Sequence, residues 1–390
     1  MKIDFNNTEN AFISKSDWDI TKAYVLFKTI SSPTIVKIGN SMLGIALSIH
    51  FPINWAVKPT IYQHFVGGET ISSCDAAIAK LGKYNVKSIL DYSVEGKEDA
   101  EDIRLAFEET LMAIENASKN PDIPFAVFKP TAMGRSIILE KASSGEEMNE
   151  QETAEKELFL DRVHQLCKKA HEVDIPILID AEHSWYQNII DYATNTEMAN
   201  FNKEKAIVFN TFQMYRHDRL AYLDESYKMS QAGGYFLGAK FVRGAYMEIE
   251  RERAEQKGYQ DPIQPDKETT DKDYNAAIRY CLERIKNIKI FNGTHNDDST
   301  QLMVDYMCDH NIAKDDDHCW FSQLYGMSDN ISFNVGKEGF NVAKYLPYGP
   351  VKHVMPYLLR RAEENTSAQG QSTRELDFIK QEKNRRKKSS

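Results

Sequence analysis

The feature that most constrains the fold of this chain is a series of short apolar runs that alternate with helix-like stretches. Eight such runs occupy residues 86–92, 124–129, 175–180, 206–211, 236–242, 288–293, 319–324 and 342–346. Most of them are apolar on both faces, which is typical of buried parallel strands joined by crossover helices. The pattern therefore predicts an α/β protein.

Eight strands in one continuous stretch favour a (β/α)8 barrel of the TIM type over an open doubly wound sheet. The doubly wound alternative lacks its sequence marks, because no G-x-G-x-x-G motif opens a helix and no phosphate-binding loop occurs. We predict three segments, which are an N-terminal helical segment at 1–84, a catalytic barrel at 85–366 and a disordered basic tail at 367–390.

Composition and charge exclude several classes of protein. The 390 residues carry a formal net charge of −10, whereas a nucleic-acid binder would present a basic surface. Five scattered cysteines, an odd number, indicate a reducing compartment, and the N-terminus has no export or transit signal. We expect a cytoplasmic enzyme. The cysteines and histidines at 308–319 match no zinc spacing, so no metal is expected.

The apolar segment 42–57 is the nearest approach to a membrane segment. It is shorter than the ~20 apolar residues that a spanning helix needs, and polar residues and a proline interrupt it. A buried helix of the N-terminal segment is the favoured interpretation. A patch that touches a membrane surface remains the alternative.

Chemistry in a barrel of this kind collects where the strands end, because the loops at the carboxyl-terminal face build the site. In chain order the predicted strands end at Asp91, Lys129, Asp180, Gln213, Arg243, His295, Tyr325 and Tyr345. Any one of these residues alone could be a cap or a surface group. The ordered set predicts a candidate site.

The last predicted helix contains PYLLRRAEEN, which places Tyr357, Arg360, Arg361 and Glu364 on one face. Two adjacent guanidinium groups can hold a substrate carboxylate through charge-assisted, bidentate hydrogen bonds. From this segment alone, a solvated surface helix with internal ion pairs is an equally good interpretation.

Several motifs together resemble one known family, in that family's order. They are FKPTAMG at 128–134, IDAEHSWYQ at 179–187, NTFQMY at 210–215, KFVRGAYMEIE at 240–250, GTHN at 293–296, FSQLYGMSDNISF at 321–333 and YLPYGPVKHVMPYLLRRAEEN at 345–365. The chain resembles the proline dehydrogenase family over residues 65–365, in monofunctional form. The N-terminal helices and the basic tail lie outside the resemblance.

The resemblance implies a substrate site. The residues that match the family's proline-binding positions are Lys129, Asp180, Tyr246, Leu324, Tyr345, Tyr357, Arg360 and Arg361. By this resemblance, Lys129 and the two arginines hold the carboxylate of proline, and the tyrosines and Leu324 surround its ring. Asp180 keeps Lys129 charged and oriented, and Glu364 steadies the arginines.

The resemblance also implies an FAD site at Gln213, Lys240, Arg243, Thr294 and His295. At the position of Lys240 many bacterial relatives carry arginine, and lysine keeps the charge but loses the planar fork. The implied reaction transfers a hydride from L-proline to flavin N5 and yields Δ1-pyrroline-5-carboxylate. Electrons then pass to a membrane quinone, which implies peripheral contact with the inner face of a membrane. The product passes to a separate pyrroline-5-carboxylate dehydrogenase.

Three other functions remain open at this stage. Within the same family, a hydroxyproline dehydrogenase is the alternative, and such relatives have a smaller residue where this chain has Tyr345. A Schiff-base lyase of the aldolase type would also place a lysine such as Lys129 at a strand end. A non-catalytic sensor or carrier could bind a small carboxylate through the two arginines. Bound flavin, visible by its colour, separates the dehydrogenases from the lyase, and a lack of turnover with artificial electron acceptors would favour the sensor or carrier.

Overall fold

The computed structural model describes residues 1–32, 34, 57–93, 98–366 and 371–389. The chain divides into two compact units. The first unit comprises Met1–Lys2 and Ile89–Ser322, and the second comprises Ile3–Ser88 and Gln323–Ser390. The apolar segment at 42–57 lies outside the described residues except for Val57.

Eight parallel strands form a nearly closed barrel with helices around it, which confirms the predicted TIM-type fold. The strands are β1 (Lys87–Tyr92), β2 (Ala126–Phe128), β3 (Ile177–Ile179), β4 (Val208–Gln213), β5 (Leu237–Val242), β6 (Ile288–Gly293), β7 (Cys319–Leu324) and β8 (Val342–Tyr348). They are hydrogen-bonded in the order β1-β8-β7-β6-β5-β4-β3-β2. Each lies at one of the eight apolar runs.

The helices connect the strands and extend beyond them at both ends of the described chain. They are α1 (Thr8–Ala11), α2 (Asp17–Ile30), α3 (Gln63–Phe65), α4 (Asp75–Gly82), α5 (Ala100–Ala117), α6 (Ser136–Ser144), α7 (Glu150–Glu172), α8 (Gln187–Phe201), α9 (Arg219–Gly233), α10 (Met247–Lys257), α11 (Lys267–Leu282), α12 (Asp297–Asp309), α13 (Asp329–Lys337), α14 (Val351–Thr366) and α15 (Gln371–Ser389).

Strand register in the first unit brings the carboxyl-terminal ends of neighbouring strands to one edge. Phe128 of β2 lies opposite Ile179 of β3, and Gln213 of β4 lies opposite Val242 of β5. Because parallel strands in register end together, the residues that follow them emerge on the same side. This register positions the candidate site.

The inside of the first unit is packed with aromatic rings. The ring of Phe125 lies 5.7 Å from that of Phe209, 5.1 Å from that of Phe291 and 5.1 Å from that of Trp320, in edge-to-face contacts. Phe209 and Phe291 belong to β4 and β6, and Phe125 directly precedes β2. Side chains from alternate strands forming one layer are the usual filling of a barrel of this type, so its interior is a packed core.

The second unit has its own apolar core, to which residues from both ends of the chain contribute. Phe27 of α2, Phe65, Leu358 of α14 and Ile379 of α15 are all buried in this cluster. Helix α2 begins at a capping box, in which the Ser16 hydroxyl accepts the backbone N–H of Asp19 at 3.1 Å. The two units therefore do not follow the predicted segments, because α14 packs with the N-terminal helices in one core and β8 belongs to the same unit.

Helix α15 differs from the disordered tail that we expected at 367–390. Glu375, Phe378, Ile379 and Glu382 are buried and follow helical spacing, so they form one inward face. Glu382 is fully buried and accepts the Thr8 hydroxyl at 3.1 Å. Burial of this face accounts for an ordered helix in a segment whose composition is strongly charged.

A helix that crosses a membrane must be both long and apolar. Within residues 1–32, 57–93, 98–366 and 371–389, no helix combines the length and the apolar character that a crossing needs.

Candidate active site

The first unit carries most of the predicted site residues at the carboxyl-terminal ends of its strands. Lys129 follows β2, Asp180 follows β3, Gln213 ends β4, and Lys240 lies within β5. Arg243, Tyr246, Thr294 and His295 lie in the segments that follow β5 and β6. The strand ends thus place these side chains where barrel enzymes have their chemistry.

Asp180 forms the centre of a buried charged cluster with two lysines. Its Oδ2 accepts a hydrogen bond from the Lys129 ammonium at 2.7 Å, and its Oδ1 accepts one from the Lys240 ammonium at 2.5 Å. The Asp180 and Lys240 residues are only 7% and 4% exposed. The second lysine was not predicted as a partner of Asp180, because 60 residues separate them in the chain.

The electrostatics of this cluster keep its carboxylate ionised. Burial alone would raise the pKa of Asp180, but the neighbouring ammonium groups of Lys129 and Lys240 outweigh it and lower the pKa to about 2. Burial lowers the pKa of Lys240, and the attraction of Asp180 opposes that shift. Asp180 therefore holds two cations in fixed positions at the strand ends.

Glu182 supports this cluster from the loop after β3. Its carboxylate accepts the backbone N–H of Thr131 at 2.8 Å and the Thr131 hydroxyl at 2.6 Å. Glu182 is 3% exposed, and Thr131 lies two residues after Lys129. These two hydrogen bonds connect the loop after Lys129 to the loop after Asp180. Sequence reasoning did not single out Glu182, although it lies inside the IDAEHSWYQ motif.

Arg243 is fixed by three partners on its guanidinium group. It donates to the Asp271 carboxylate at 2.6 Å, to the Thr294 hydroxyl at 2.6 Å and to the Ser299 hydroxyl at 3.0 Å. The structure thus brings together Arg243 and Thr294, two of the residues expected near FAD. Asp271 was missed, because it lies in α11 and no local motif marks it.

An aromatic group lies beside the β5 end of the site. The Tyr246 ring lies 4.4 Å from the His183 ring, and His183 stacks on Trp185 at 4.2 Å with an interplanar angle of 7°. The Arg253 guanidinium lies 4.2 Å from the centre of the Trp185 ring. These stacked rings hold Tyr246, the predicted substrate contact, against the loop after β3.

The second unit carries the other predicted substrate residues. Leu324 ends β7, Tyr345 lies in β8, and Tyr357, Arg360 and Arg361 lie in α14. The Tyr325 N–H donates to the Tyr345 carbonyl at 2.8 Å, which joins the residue after β7 to the middle of β8.

The two arginines of α14 differ in exposure. Arg361 is 6% exposed, and its guanidinium lies 5.3 Å from the centre of the Tyr357 ring, one turn earlier in α14. Arg360 is partly exposed. The side chain of Glu364 lies outside the described part of the structure, so its role stays a prediction. A buried guanidinium that stacks on a tyrosine is not the solvated surface helix of the alternative interpretation.

No group of three or more metal-ligating side chains lies close together in the described residues, which omit 33, 35–56, 94–97, 367–370 and 390. Charged side chains at the ends of the barrel strands are the arrangement found in enzymes with this fold. The family model described as proline dehydrogenase matches residues 74–374. The chain therefore belongs to the proline dehydrogenase family, whose members are oxidoreductases.

Individual relatives agree with this family. The chain is 31% identical to mitochondrial proline dehydrogenase 1 of Dictyostelium discoideum, over 99% of this chain and 75% of that protein. It is 28% identical to hydroxyproline dehydrogenase of Xenopus laevis, over 96% of this chain and 88% of that protein.

Among solved structures, proline utilization A from Bdellovibrio bacteriovorus inactivated by N-propargylglycine superimposes with a TM-score of 0.71. The sequence identity is 20%, so the likeness concerns the fold alone. The match covers 92% of this chain and 38% of that longer chain.

Proposed function

We propose that this protein catalyses the FAD-dependent oxidation of L-proline to Δ1-pyrroline-5-carboxylate. The observation that carries the proposal is the buried cluster in which Asp180 holds the ammonium groups of Lys129 and Lys240 at the strand ends. Two fixed cations suit a reaction whose substrate is a carboxylate and whose reduced cofactor is anionic. The family assignment supports proline as the substrate.

In this proposal the arginines of α14 bind the substrate carboxylate, together with Lys129. Guanidinium groups form bidentate, charge-assisted bonds with carboxylates, and the low exposure of Arg361 strengthens such a bond. Tyr246, Leu324, Tyr345 and Tyr357 surround the pyrrolidine ring, and Glu364 steadies the arginines. Their task is to orient the C–H bond next to the ring nitrogen.

The first unit offers residues that fit FAD. The Oε1 atom of Gln213 is buried and accepts no hydrogen bond from any described residue, so it is free to accept one from a ligand N–H. Lys240 and Arg243 supply positive charge, and Thr294 and His295 lie in the adjoining segment after β6. FAD, when bound, takes the hydride from proline.

The contacts of Lys129 argue against the Schiff-base alternative. An imine-forming lysine must lose its proton to become a nucleophile. Lys129 instead donates to a buried carboxylate at 2.7 Å, which favours the charged ammonium. In the proposed reaction Lys129 is an electrostatic anchor for the substrate.

We also propose the later steps that the family resemblance implied. Electrons pass from the reduced enzyme to a quinone-type acceptor through peripheral contact with the inner face of a membrane. The enzyme is otherwise cytoplasmic, and a separate pyrroline-5-carboxylate dehydrogenase consumes the product. The Dictyostelium discoideum relative is named mitochondrial.

A visible absorbance spectrum tests the central proposal. Purified protein should be yellow, and anaerobic addition of L-proline should bleach the flavin band, because the hydride reduces the bound cofactor. D-proline serves as the matched control. A colourless protein after reconstitution with FAD, or a yellow protein that L-proline does not bleach, contradicts the proposal.

A second candidate substrate is trans-4-hydroxy-L-proline, because a hydroxyproline dehydrogenase aligns with nearly all of this chain. Tyr345 argues for proline, since its bulky side chain is 7% exposed and, by the family resemblance, it stands where hydroxyproline-oxidising members have a smaller residue. An added hydroxyl against this ring would be excluded or left without a hydrogen-bond partner.

We therefore expect Tyr345→Ser to raise kcat/KM for hydroxyproline relative to proline by about tenfold or more. The assay is steady-state reduction of an artificial electron acceptor with each substrate. Tyr345→Phe is the control, because it keeps the ring and should keep the preference for proline. A wild-type preference for hydroxyproline would show that the substrate is misassigned.

A further inference from the structure

The segment at residues 324–328, which runs from the last residue of β7 and is here called the β7 loop, is held by side chains from three separate parts of the second unit. The Lys344 ammonium donates to the carbonyls of Leu324 at 3.3 Å and Met327 at 2.6 Å. The His64 ring contacts the Gly326 carbonyl through Nε2 at 2.9 Å. From α15, the Glu375 carboxylate accepts the Ser328 N–H at 2.5 Å.

Two residues of the β7 loop have left-handed backbone conformations. Gly326 has φ 79°, and a Cβ atom there would lie 2.5 Å from the His64 carbonyl oxygen, so only glycine fits. Ser328 has φ 48°, which is unfavourable for a residue with a side chain. Such a conformation persists only where the surroundings impose it. The bond from the Ser328 N–H to Glu375 is one such restraint.

The groups around Glu375 are themselves buried and charged. Asp329 accepts a hydrogen bond from Lys344 at 2.7 Å and lies 3.7 Å from the Lys15 ammonium. Burial, with a smaller contribution from Asp329, raises the pKa of Glu375 to about 7, although the Ser328 N–H, Lys344 and Arg374 oppose the shift. Glutamine is therefore the conservative replacement for Glu375, because it is neutral and keeps an oxygen acceptor.

We propose that Glu375 of α15 is a positioning residue for the substrate pocket, which it supports through the β7 loop. The loop begins at Leu324 and is bonded to Tyr345 through the Tyr325 N–H, and both residues belong to the proposed wall around the proline ring. This inference rests on the proposed function. It assigns a role in substrate binding to a residue beyond the family match, which ends at residue 374.

Helix α15 also packs in the apolar cluster that includes residues of the proposed wall around the proline ring. Phe378 and Ile379 lie in the apolar cluster that also contains Tyr357, and Leu324 packs against that cluster. Movement of α15 would therefore disturb both the polar and the apolar supports of the wall. A change at Glu375 alone removes the polar support and leaves Phe378 and Ile379 in place.

The test compares Glu375→Ala with Glu375→Gln and Glu382→Ala in the full chain with bound FAD. Glu382→Ala is the matched control, because Glu382 is fully buried in the same helix but bonds to Thr8, Arg385 and Arg386. Each variant is measured for Tm, for flavin content and for the L-proline concentration that gives half-maximal flavin reduction.

We expect Glu375→Ala to raise the half-saturating proline concentration about fivefold or more with unchanged flavin content, because the Ser328 N–H loses its acceptor. Glu375→Gln should stay within about twofold of wild type, since its amide oxygen restores the bond. Glu382→Ala should lower Tm without changing half-saturation. If Glu375→Ala does not fold, His64→Leu removes another support of the β7 loop and should give the same rise.

Two results would overturn the proposed role of Glu375 while leaving the proposed function intact. One is wild-type half-saturation in the folded Glu375→Ala variant or, if that variant does not fold, in His64→Leu. The other is an equal rise in Glu382→Ala, which would show a merely structural effect of α15. A wild-type enzyme that binds flavin but is not reduced by L-proline would instead overturn the proposed function itself.

Discussion

Replacement of Asp180 by asparagine should lower the rate of flavin reduction by L-proline about a hundredfold or more. The carboxylate holds two ammonium groups, at 2.7 and 2.5 Å, and the residue is 7% exposed. Without it, Lys129 and Lys240 would lie close together as buried like charges, and at least one would deprotonate or move. Both the anchor for the substrate carboxylate and the positive field near the flavin would be lost.

Asp180→Asn should also destabilise the fold by about 3 kcal/mol at neutral pH, as expected when one partner of a buried ion pair is removed. The folded-state pKa of about 2 lies below the ordinary value of 3.8, so the stabilisation by Asp180 is present above pH 4. It is lost as pH falls through the folded-state pKa. The difference in free energy of unfolding between wild type and variant should therefore shrink below about pH 4.

Asp317→Asn is the control for this experiment. Asp317 pairs with the buried Lys289 at 2.6 Å. Lys289 lies near the amino-terminal end of β6, on the face of the barrel where residues contribute to stability rather than to catalysis. The control should keep the wild-type rate of flavin reduction. A wild-type rate in Asp180→Asn would show that the cluster is not part of the active site.

The second large effect is expected at the arginines of α14. Arg360→Met and Arg361→Met should each raise the half-saturating proline concentration about 10- to 100-fold, because each would remove a proposed charge-assisted bond to the carboxylate. Methionine keeps much of the apolar volume of the side chain, so the fold and the flavin content should change little. The measurement is flavin reduction against proline concentration.

Arg104→Met provides the control for charge removal alone. Arg104 is exposed on α5 and pairs with Glu101 and Glu108, so its loss should leave proline binding unchanged. Wild-type half-saturation in both α14 variants would mean that another group binds the carboxylate. An equal effect in all three variants would show that net charge, and not a specific contact with the carboxylate, determines proline binding.

The strands of the barrel were predictable because buried parallel strands leave continuous apolar runs. The residues at which the strands begin and end were less predictable. Strand β4 continues to Gln213 although three of its last four residues are polar, and β8 continues through Pro347 to Tyr348. Proline usually marks the end of a strand, but here the Pro347 carbonyl accepts the Gly67 N–H at 2.8 Å. A backbone partner from another part of the chain cannot be read from a local run.

Helices α10 and α15 lack a continuous apolar stripe from which sequence periodicity could predict them. In α10 the buried residues are Glu250 and Ala254, so a search for apolar periodicity finds nothing. In α15 two of the four buried positions are glutamates, Glu375 and Glu382. Each of these acids accepts a hydrogen bond from a distant part of the chain, Glu375 from the Ser328 N–H and Glu382 from the Thr8 hydroxyl.

Strand ends identified Lys129 and Asp180 as candidates, and the family resemblance supplied their roles. The pairing of Asp180 with Lys240 depends on the register of β3, β4 and β5, which no sequence motif records. The same holds for Glu375, whose partner Ser328 lies 47 residues earlier. Residue types at strand ends can thus be predicted, whereas long-range polar partners require the fold.

The aromatic layer inside the first unit gives the protein a built-in optical probe. Trp320 is 7% exposed and lies against Phe125, whereas Trp18, in α2 of the second unit, is 68% exposed. An indole in an apolar core emits at shorter wavelengths than one in water. Emission from Trp320 should therefore shift to the red when the barrel core opens, while Trp18 already emits as a hydrated indole. A variant that keeps only Trp320 would report unfolding of the first unit separately from that of the second.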